Sequence, residues 1–321
     1  MPESKMNDKA VMTKISDHFY LIRGKNRSRF PEGNCVLVDD ETLTLIDAGA
    51  SIDNIKRSLM ELGYDIEDID RIVLSHFHID HKGYANEINE VASCEVMCHP
   101  LADKGVMTFE GMVDYYGIDE HRYYDDWAGF LKQRLPHVIR EYEITSHFED
   151  NIPINCGETQ IIPLYTPGHT IDHTCFGLNG YDDLLLVDID LTGFGPWYGN
   201  KVSDIDDFRA SIRRIIKLNP KMVVSGHLQD PIVEDIDAKL KAYLNKIDKR
   251  DDKILRLVSE GYNTVKALAN LPTIYPRIPR DLFLVFEEFM LKKHVDSLKR
   301  KGLLSVSEEG ILGIESQNDS K

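Results

Sequence analysis

Ser75-His76-Phe77-His78-Ile79-Asp80-His81 places three histidines and one aspartate within six residues, directly after the apolar run Ile72-Val73-Leu74. A short buried strand that hands the chain to such a segment fixes its side chains on a rigid edge, where sites are built. Imidazole and carboxylate suit Zn, Fe or Mn. On an extended segment the alternate positions His76 and His78 point the same way. Asp80 and His81 can then turn toward a second ion as the chain enters a helix. Four coordinating side chains at this spacing are more than a merely polar loop would gather.

One cluster does not close a two-ion site, so further ligands are expected after other strands. His169 stands in Thr166-Pro167-Gly168-His169-Thr170, beyond an apolar run ending near Leu164. His227 follows Val223-Val224-Ser225-Gly226, and Asp190 follows Leu184-Leu185-Leu186-Val187. Asp188 competes with Asp190, which is favoured because Leu191-Thr192-Gly193-Phe194-Gly195-Pro196-Trp197-Tyr198-Gly199 follows it as an active-site loop would.

The surrounding pattern is α/β. Phe19 to Ile22, Asn34 to Val38 and Thr42 to Ile46 read as strands, the last ending in Asp47-Ala48-Gly49, where Gly49 is free to take positive φ. Ser51 caps a helix with apolar spacing at Ile52, Ile55, Leu59 and Leu62, and Gly63 ends it. Residues of about 100–150, rich in Tyr, Asp and His, read as a helical insertion. Strand signals resume at Ile161, Thr174, Leu184 and Met222, with an amphipathic helix over 206–218 stopped by Asn219-Pro220. A catalytic domain over 10–238 is therefore expected. A C-terminal domain over 245–315 follows, winged-helix-like in having helices and then a terminal hairpin near Leu303 to Ile314.

Composition bounds the function. The 321 residues are 42% hydrophobic and carry a formal net charge of −16, which argues against a polyanionic partner for the chain as a whole. Residues 241–321 hold about 15 Lys/Arg against about 12 Asp/Glu, so the acidic excess sits in the body. Five cysteines without a CxxC pair read as structural thiols. No apolar run reaches a bilayer-spanning length, and the polar N-terminus lacks a signal-peptide pattern, so a cytoplasmic protein with no membrane partner is expected. A homodimer is the expectation for an intracellular enzyme.

HxHxDH, TPGHT, an Asp after an apolar strand and a late SGH together resemble the metallo-β-lactamase superfamily over roughly residues 10–235, with hydroxyacylglutathione hydrolase among the similar members. The resemblance implies a four-layer αββα sandwich with the metals at one edge between the sheets. It implies that His76, His78 and His169 bind the first of two divalent ions, that Asp80, His81 and His227 bind the second, and that Asp190 bridges them. Zinc is the first choice, with iron or manganese as alternatives. Asp47 matches a position that supports a ligand from behind, and His173 a position beside the ligands.

Two ions sharing a ligand would lower the pKa of a bridging water to give hydroxide near neutral pH. That predicts a hydrolase of a small-molecule ester, thioester, lactone or phosphoester, with Asp80 and Asp190 in the chemistry. Trp197 and Tyr198 are expected to shape the substrate pocket, and Tyr198 to reach a transition-state oxyanion. The alternatives are a single-strand endoribonuclease, suggested by the C-terminal helices and hairpin, and a non-catalytic regulatory binder that kept the fold.

Overall fold

A computed structural model describes residues 10–315. Its first sheet runs in the order β1 (Met12–Ser16), β2 (Phe19–Ile22), β3 (Cys35–Val38), β4 (Thr44–Ile46), β5 (Arg71–Val73), β6 (Glu95–Cys98) and β7 (Ser146–His147). Neighbours from β1 to β4 are antiparallel, and those from β4 to β7 are parallel. The second sheet comprises β8 (Ile154–Asn155), β9 (Gln160–Tyr165), β10 (Thr174–Leu178), β11 (Asp183–Val187), β12 (Met222–Ser225) and β13 (Ile232–Val233), again in sequential order. Only its β11–β12 pair is parallel.

Strand alternation explains how the sheets stack, because successive side chains point to opposite faces. Val36 and Val38 of β3, Ile46 of β4 and Val73 of β5 meet Phe176 of β10, Leu185 and Val187 of β11 and Val224 of β12 in one inner core. Their chain neighbours Leu37, Leu45 and Ile72 face a second core shared with the helices Ile52–Leu62 and Ala85–Ala92. Leu184, Leu186 and Val223 face a third, beneath the helix Ile205–Leu218. Both faces of each sheet are thus covered, and the αββα sandwich follows. Truncating one of these side chains, such as Leu185→Ala, should cost about 2–5 kcal/mol.

The helix ends obey the sequence signals. Ser51 Oγ accepts from Asn54 N–H at 3.3 Å, and Gly63 sits at φ 91°. Asp204 caps Ile205–Leu218, which Asn219 ends at φ 51°. Between β6 and β7 lie the helices Asp103–Met107, Phe109–Tyr116 and Tyr124–Arg134, in the span expected to be a helical insertion. β1, β6, β7, β8 and β13 carried no clear signal. They are short or lie at a sheet edge, and neighbouring strands rather than their own pattern hold them in place.

The C-terminal elements are the helices Ile236–Ser259, Val265–Ala269 and Leu284–Arg300 and the hairpin β14 (Leu304–Val306) with β15 (Leu312–Ile314). The expected boundary between 238 and 245 falls inside the single helix Ile236–Ser259. Leu240, Tyr243, Ile247, Met290 and Leu298 share one apolar core with β11, β12 and Ile205–Leu218. Among the described residues no helix is long and apolar enough to cross a membrane. All five cysteines are buried and unpaired.

Candidate metal centre

β4, β5, β9, β11 and β12 all deliver site residues just beyond their C-terminal ends. Parallel pairing of β4 with β5, and of β11 with β12, brings those ends together at one edge of the sandwich. Two groups of potential donors gather there: His76, His78, His169 and Asp188, and Asp80, His81 and His227. Within each group the donor atoms lie within 4.8 Å of one another.

Each ring is oriented from behind. Asp47, buried at 2% exposure, lies 2.8 Å from His81 Nδ1 through Oδ2, while its two oxygens accept from Ser75 N–H and Oγ–H at 2.8 Å. Asp47 itself, not Gly49, takes the positive φ, at 61°. Gly49 is needed for close approach instead, since a Cβ there would stand 1.6 Å from the Asp80 carbonyl oxygen. His169 Nδ1 meets the Trp197 carbonyl at 2.8 Å, and His227 Nδ1 meets the Ser28 carbonyl at 2.7 Å. Ser75 Oγ lies 3.0 Å from His76 Nδ1, and the Asn200 amide nitrogen lies 3.2 Å from His78 Nε2. A carbonyl or carboxylate at one ring nitrogen fixes the proton there and leaves the other lone pair directed at the site.

The free nitrogens then face one another. His169 Nε2 stands 2.8 Å from His78 Nδ1, and His81 Nε2 stands 3.2 Å from His227 Nε2. His76 Nε2 is buried with no hydrogen-bond partner. Burial and the neighbouring imidazoles push the His76 and His78 pKa values well below the usual histidine range. Imidazole nitrogens converging on one another beside a carboxylate, with burial holding His76 and His78 in the neutral form, fit divalent cations.

The carboxylate at the centre is Asp188, and this corrects the expectation for Asp190. Asp188 Oδ2 lies 3.0 Å from His169 Nε2, and its Oδ1 lies 2.9 Å from His81 Nε2 and 3.2 Å from His227 Nε2. Burial opposes its ionisation, but His81, His227 and His169 hold it well below the usual carboxylate range. The cause is local: Val187, the last residue of β11, turns at φ 52°, so the next residue points into the cluster. A left-handed β-branched residue is strained, as residues beside functional sites can be. Asp190 instead accepts from Thr192 N–H at 3.0 Å and lines the adjoining cavity, outside both donor groups.

His173 does not face the donor cluster. Its Nδ1 lies 2.9 Å from the Thr166 carbonyl and its Nε2 accepts the Asp188 backbone N–H at 3.2 Å, so it fixes the turn that presents Asp188. Burial lowers its pKa to about 3. Tyr198 departs from expectation. It is fully buried, and its hydroxyl lies 2.6 Å from His294 Nε2 and accepts from Arg250 at 2.8 Å. The loop residue that reaches the site is Trp197, edge-on to His78 at 5.3 Å between ring centroids.

A cavity of about 620 Å³ opens onto both donor groups. Trp197, Tyr116, Trp127 and Phe130 form part of its wall, and Tyr275, Leu282, Phe283 and Phe286 complete it from the C-terminal region. The Trp197 indole donates to Tyr275 Oη at 2.7 Å, which ties that region to the site. Nothing local in the sequence marks those particular aromatics as cavity-facing.

Residues 29–227 match the Metallo-beta-lactamase superfamily. The chain belongs to that family, whose members are metal-dependent hydrolases. Similar proteins include a Beta-lactamase-like protein 2 homolog of Drosophila melanogaster, 23% identical over 269 residues, spanning 82% of this chain and 80% of that protein. A Probable metallo-hydrolase YqjP of Bacillus subtilis is 24% identical over 300 residues, spanning 85% and 90% respectively. The crystal structure of a metallo-beta-lactamase family protein from Thermus thermophilus superposes with a TM-score of 0.73 at 19% identity, covering 94% of this chain and all of that one.

Proposed function

We propose that this protein hydrolyses a small ester or thioester with an apolar acyl or aryl portion, using two divalent cations, zinc first and iron or manganese as alternatives. The cavity carries the reading: an aromatic-walled space of about 620 Å³ that ends on both donor groups suits a small molecule. His76, His78 and His169 would hold one cation, Asp80, His81 and His227 the other, and Asp188 would touch both. Such a pair would make a nucleophile of water at neutral pH and polarise the oxygen of the bond under attack.

The remaining work falls to the chain. Asp47 and the Trp197 carbonyl keep the His81 and His169 rings in register through their Nδ1 atoms. Asp80 lines the cavity, with Oδ2 3.7 Å from His227 Nε2, where a carboxylate can pass the proton lost by water to the leaving group. The C-terminal aromatics exclude water around the apolar end of the substrate. In this reading the winged-helix-like C-terminal region closes the pocket, and the acidic body disfavours RNA.

Metal analysis of purified protein, paired with p-nitrophenyl esters, acyl-CoAs, phosphodiesters and single-stranded RNA, tests the proposal. Two metal equivalents and turnover of esters or thioesters are expected. RNA cleavage without ester cleavage would reverse it.

A further inference from the structure

Residues 25–30, between β2 and β3, hold a strained backbone. Asn26, Arg27 and Ser28 take φ of 52°, 60° and 56° in succession, a region that L-residues visit singly and at steric cost. Such strain persists only where surrounding contacts impose it. Here they do. Ser28 is buried, its hydroxyl bonds Asn34 Oδ1, and its carbonyl receives His227 Nδ1 at 2.7 Å. Asn34 in turn donates from its backbone to the Gly226 carbonyl at 2.8 Å and from its side chain to the Ser225 carbonyl at 3.0 Å. The segment is therefore pinned to the loop that carries His227.

The strain has a visible product. Arg27 and Arg29 flank the pinned Ser28, are exposed, and line the cavity. The nearby cations are occupied: Lys25 pairs with Asp53 at 2.7 Å, and Arg23 donates to Thr13 Oγ1 at 2.6 Å. Among the described residues, neither Arg27 nor Arg29 has a side-chain hydrogen-bond or ion-pair partner. In a chain of net charge −16, they bring two guanidinium groups to a cavity whose carboxylates, Asp80, Asp188 and Asp190, lie among or beside the two donor groups. The aromatic wall borders the other donor group, with Tyr116 stacked on His78 at 5.2 Å and Trp197 edge-on to it.

From this polarity we infer that the substrate has two unlike ends: an anionic group held by Arg27 and Arg29 on the His227 side, and an apolar acyl or aryl body against Trp197 and Phe286. The scissile bond lies between them, a placement that rests on the hydrolase reading. The anion requirement does not depend on turnover. Guanidinium groups bind carboxylate, phosphate or sulfonate through charge-assisted, often paired hydrogen bonds.

Binding can be read without chemistry, because the chain's two tryptophans, Trp127 and Trp197, both line the cavity. Quenching of tryptophan fluorescence by 4-phenylbutane sulfonate is compared with that by 4-phenylbutanol on the metal-loaded protein, sulfonate being a poor metal ligand. The sulfonate is expected to bind about tenfold more tightly. That ratio should fall to near one in an R27Q/R29Q variant and persist in R27K/R29K. Equal affinities in the wild type, or a preference that survives R27Q/R29Q, would overturn the inference. A parallel assay compares a p-nitrophenyl ester bearing a distal carboxylate with its neutral methyl-capped analogue, and preference for the former through KM is expected. Failure of both esters to turn over would refute hydrolysis alone, leaving the fluorescence ratio to decide the anion site.

Discussion

Asp47 Oδ2 and His81 Nδ1 stand 2.8 Å apart in a fully enclosed pair, with Asp47 anchored by both of its oxygens to Ser75. The carboxylate sets the His81 tautomer and aims Nε2 at the second donor group. Asp47→Asn keeps the volume and removes the charge. It is expected to weaken binding of the cation proposed for the Asp80, His81 and His227 group by about 10–100-fold, read by calorimetric titration of the metal-free protein. Two equivalents bound with wild-type affinity would refute the orienting role.

Asp188 and Asp190 differ by two positions and should differ greatly in consequence. Asp188→Asn removes the charge and turns one of the two oxygens that face His81, His169 and His227 into a donor amide. It is expected to reduce ester turnover about a thousandfold or more and to lower the bound metal. Asp190→Asn, which disturbs a bond to Thr192, should cost less than about tenfold. Reversed magnitudes in parallel assays would restore Asp190 to the central position.

Tyr198 acts on stability. Tyr198→Phe removes the hydroxyl shared by Arg250 and His294 in a buried network that continues from His294 Nδ1 to Asp251 at 2.6 Å. A loss of about 1–3 kcal/mol in denaturant unfolding is expected. Turnover should change by less than about threefold, since the ring stays in place and never faces the cavity. A large fall in kcat with unchanged stability would contradict this.

Lys82 gives a pH signature. Burial lowers its pKa to about 7, and among the described residues its ammonium donates to the Val106 carbonyl at 2.9 Å and the Gly105 carbonyl at 3.5 Å. The unfolded chain, with the ordinary lysine value of 10.5, binds the proton more tightly than the folded one. This group's contribution to stability therefore rises with pH from about 7 to about 10.5 and is lost as pH falls through 7. Lys82→Met should flatten that slope relative to wild type in unfolding measured at several pH values. Parallel slopes for the two proteins would show that Lys82 does not titrate in this window.

Much of the architecture was legible because periodicity reports which side is buried. Val36, Leu37 and Val38 alternate between two cores as their sequence positions require. Ser51 and Gly63 mark a helix by local chemistry alone. The histidines gather at one edge because each follows a strand whose end is fixed by pairing. What was hidden lies where a residue's direction depends on a left-handed turn. Val187 at φ 52° decides between Asp188 and Asp190, and Ser28 at φ 56° presents Arg27 and Arg29. Neither turn contains glycine to announce it. Tyr198 was misread for a related reason: its partners, Arg250 and His294, lie more than fifty residues away in the sequence.

The two sheets contribute two donors each to one group: His76 and His78 come from the end of β5, and His169 and Asp188 from the ends of β9 and β11. A cation held among them would be a cross-brace between halves of the sandwich that are otherwise joined by apolar contact and by hydrogen bonds such as those of Asn34 to the Gly226 and Ser225 carbonyls. The mechanical grip of one sheet on the other then follows the supply of free metal, strengthening by about 4 kcal/mol at a thousandfold excess over the dissociation constant. Scarcity would loosen the frame as well as silence the chemistry.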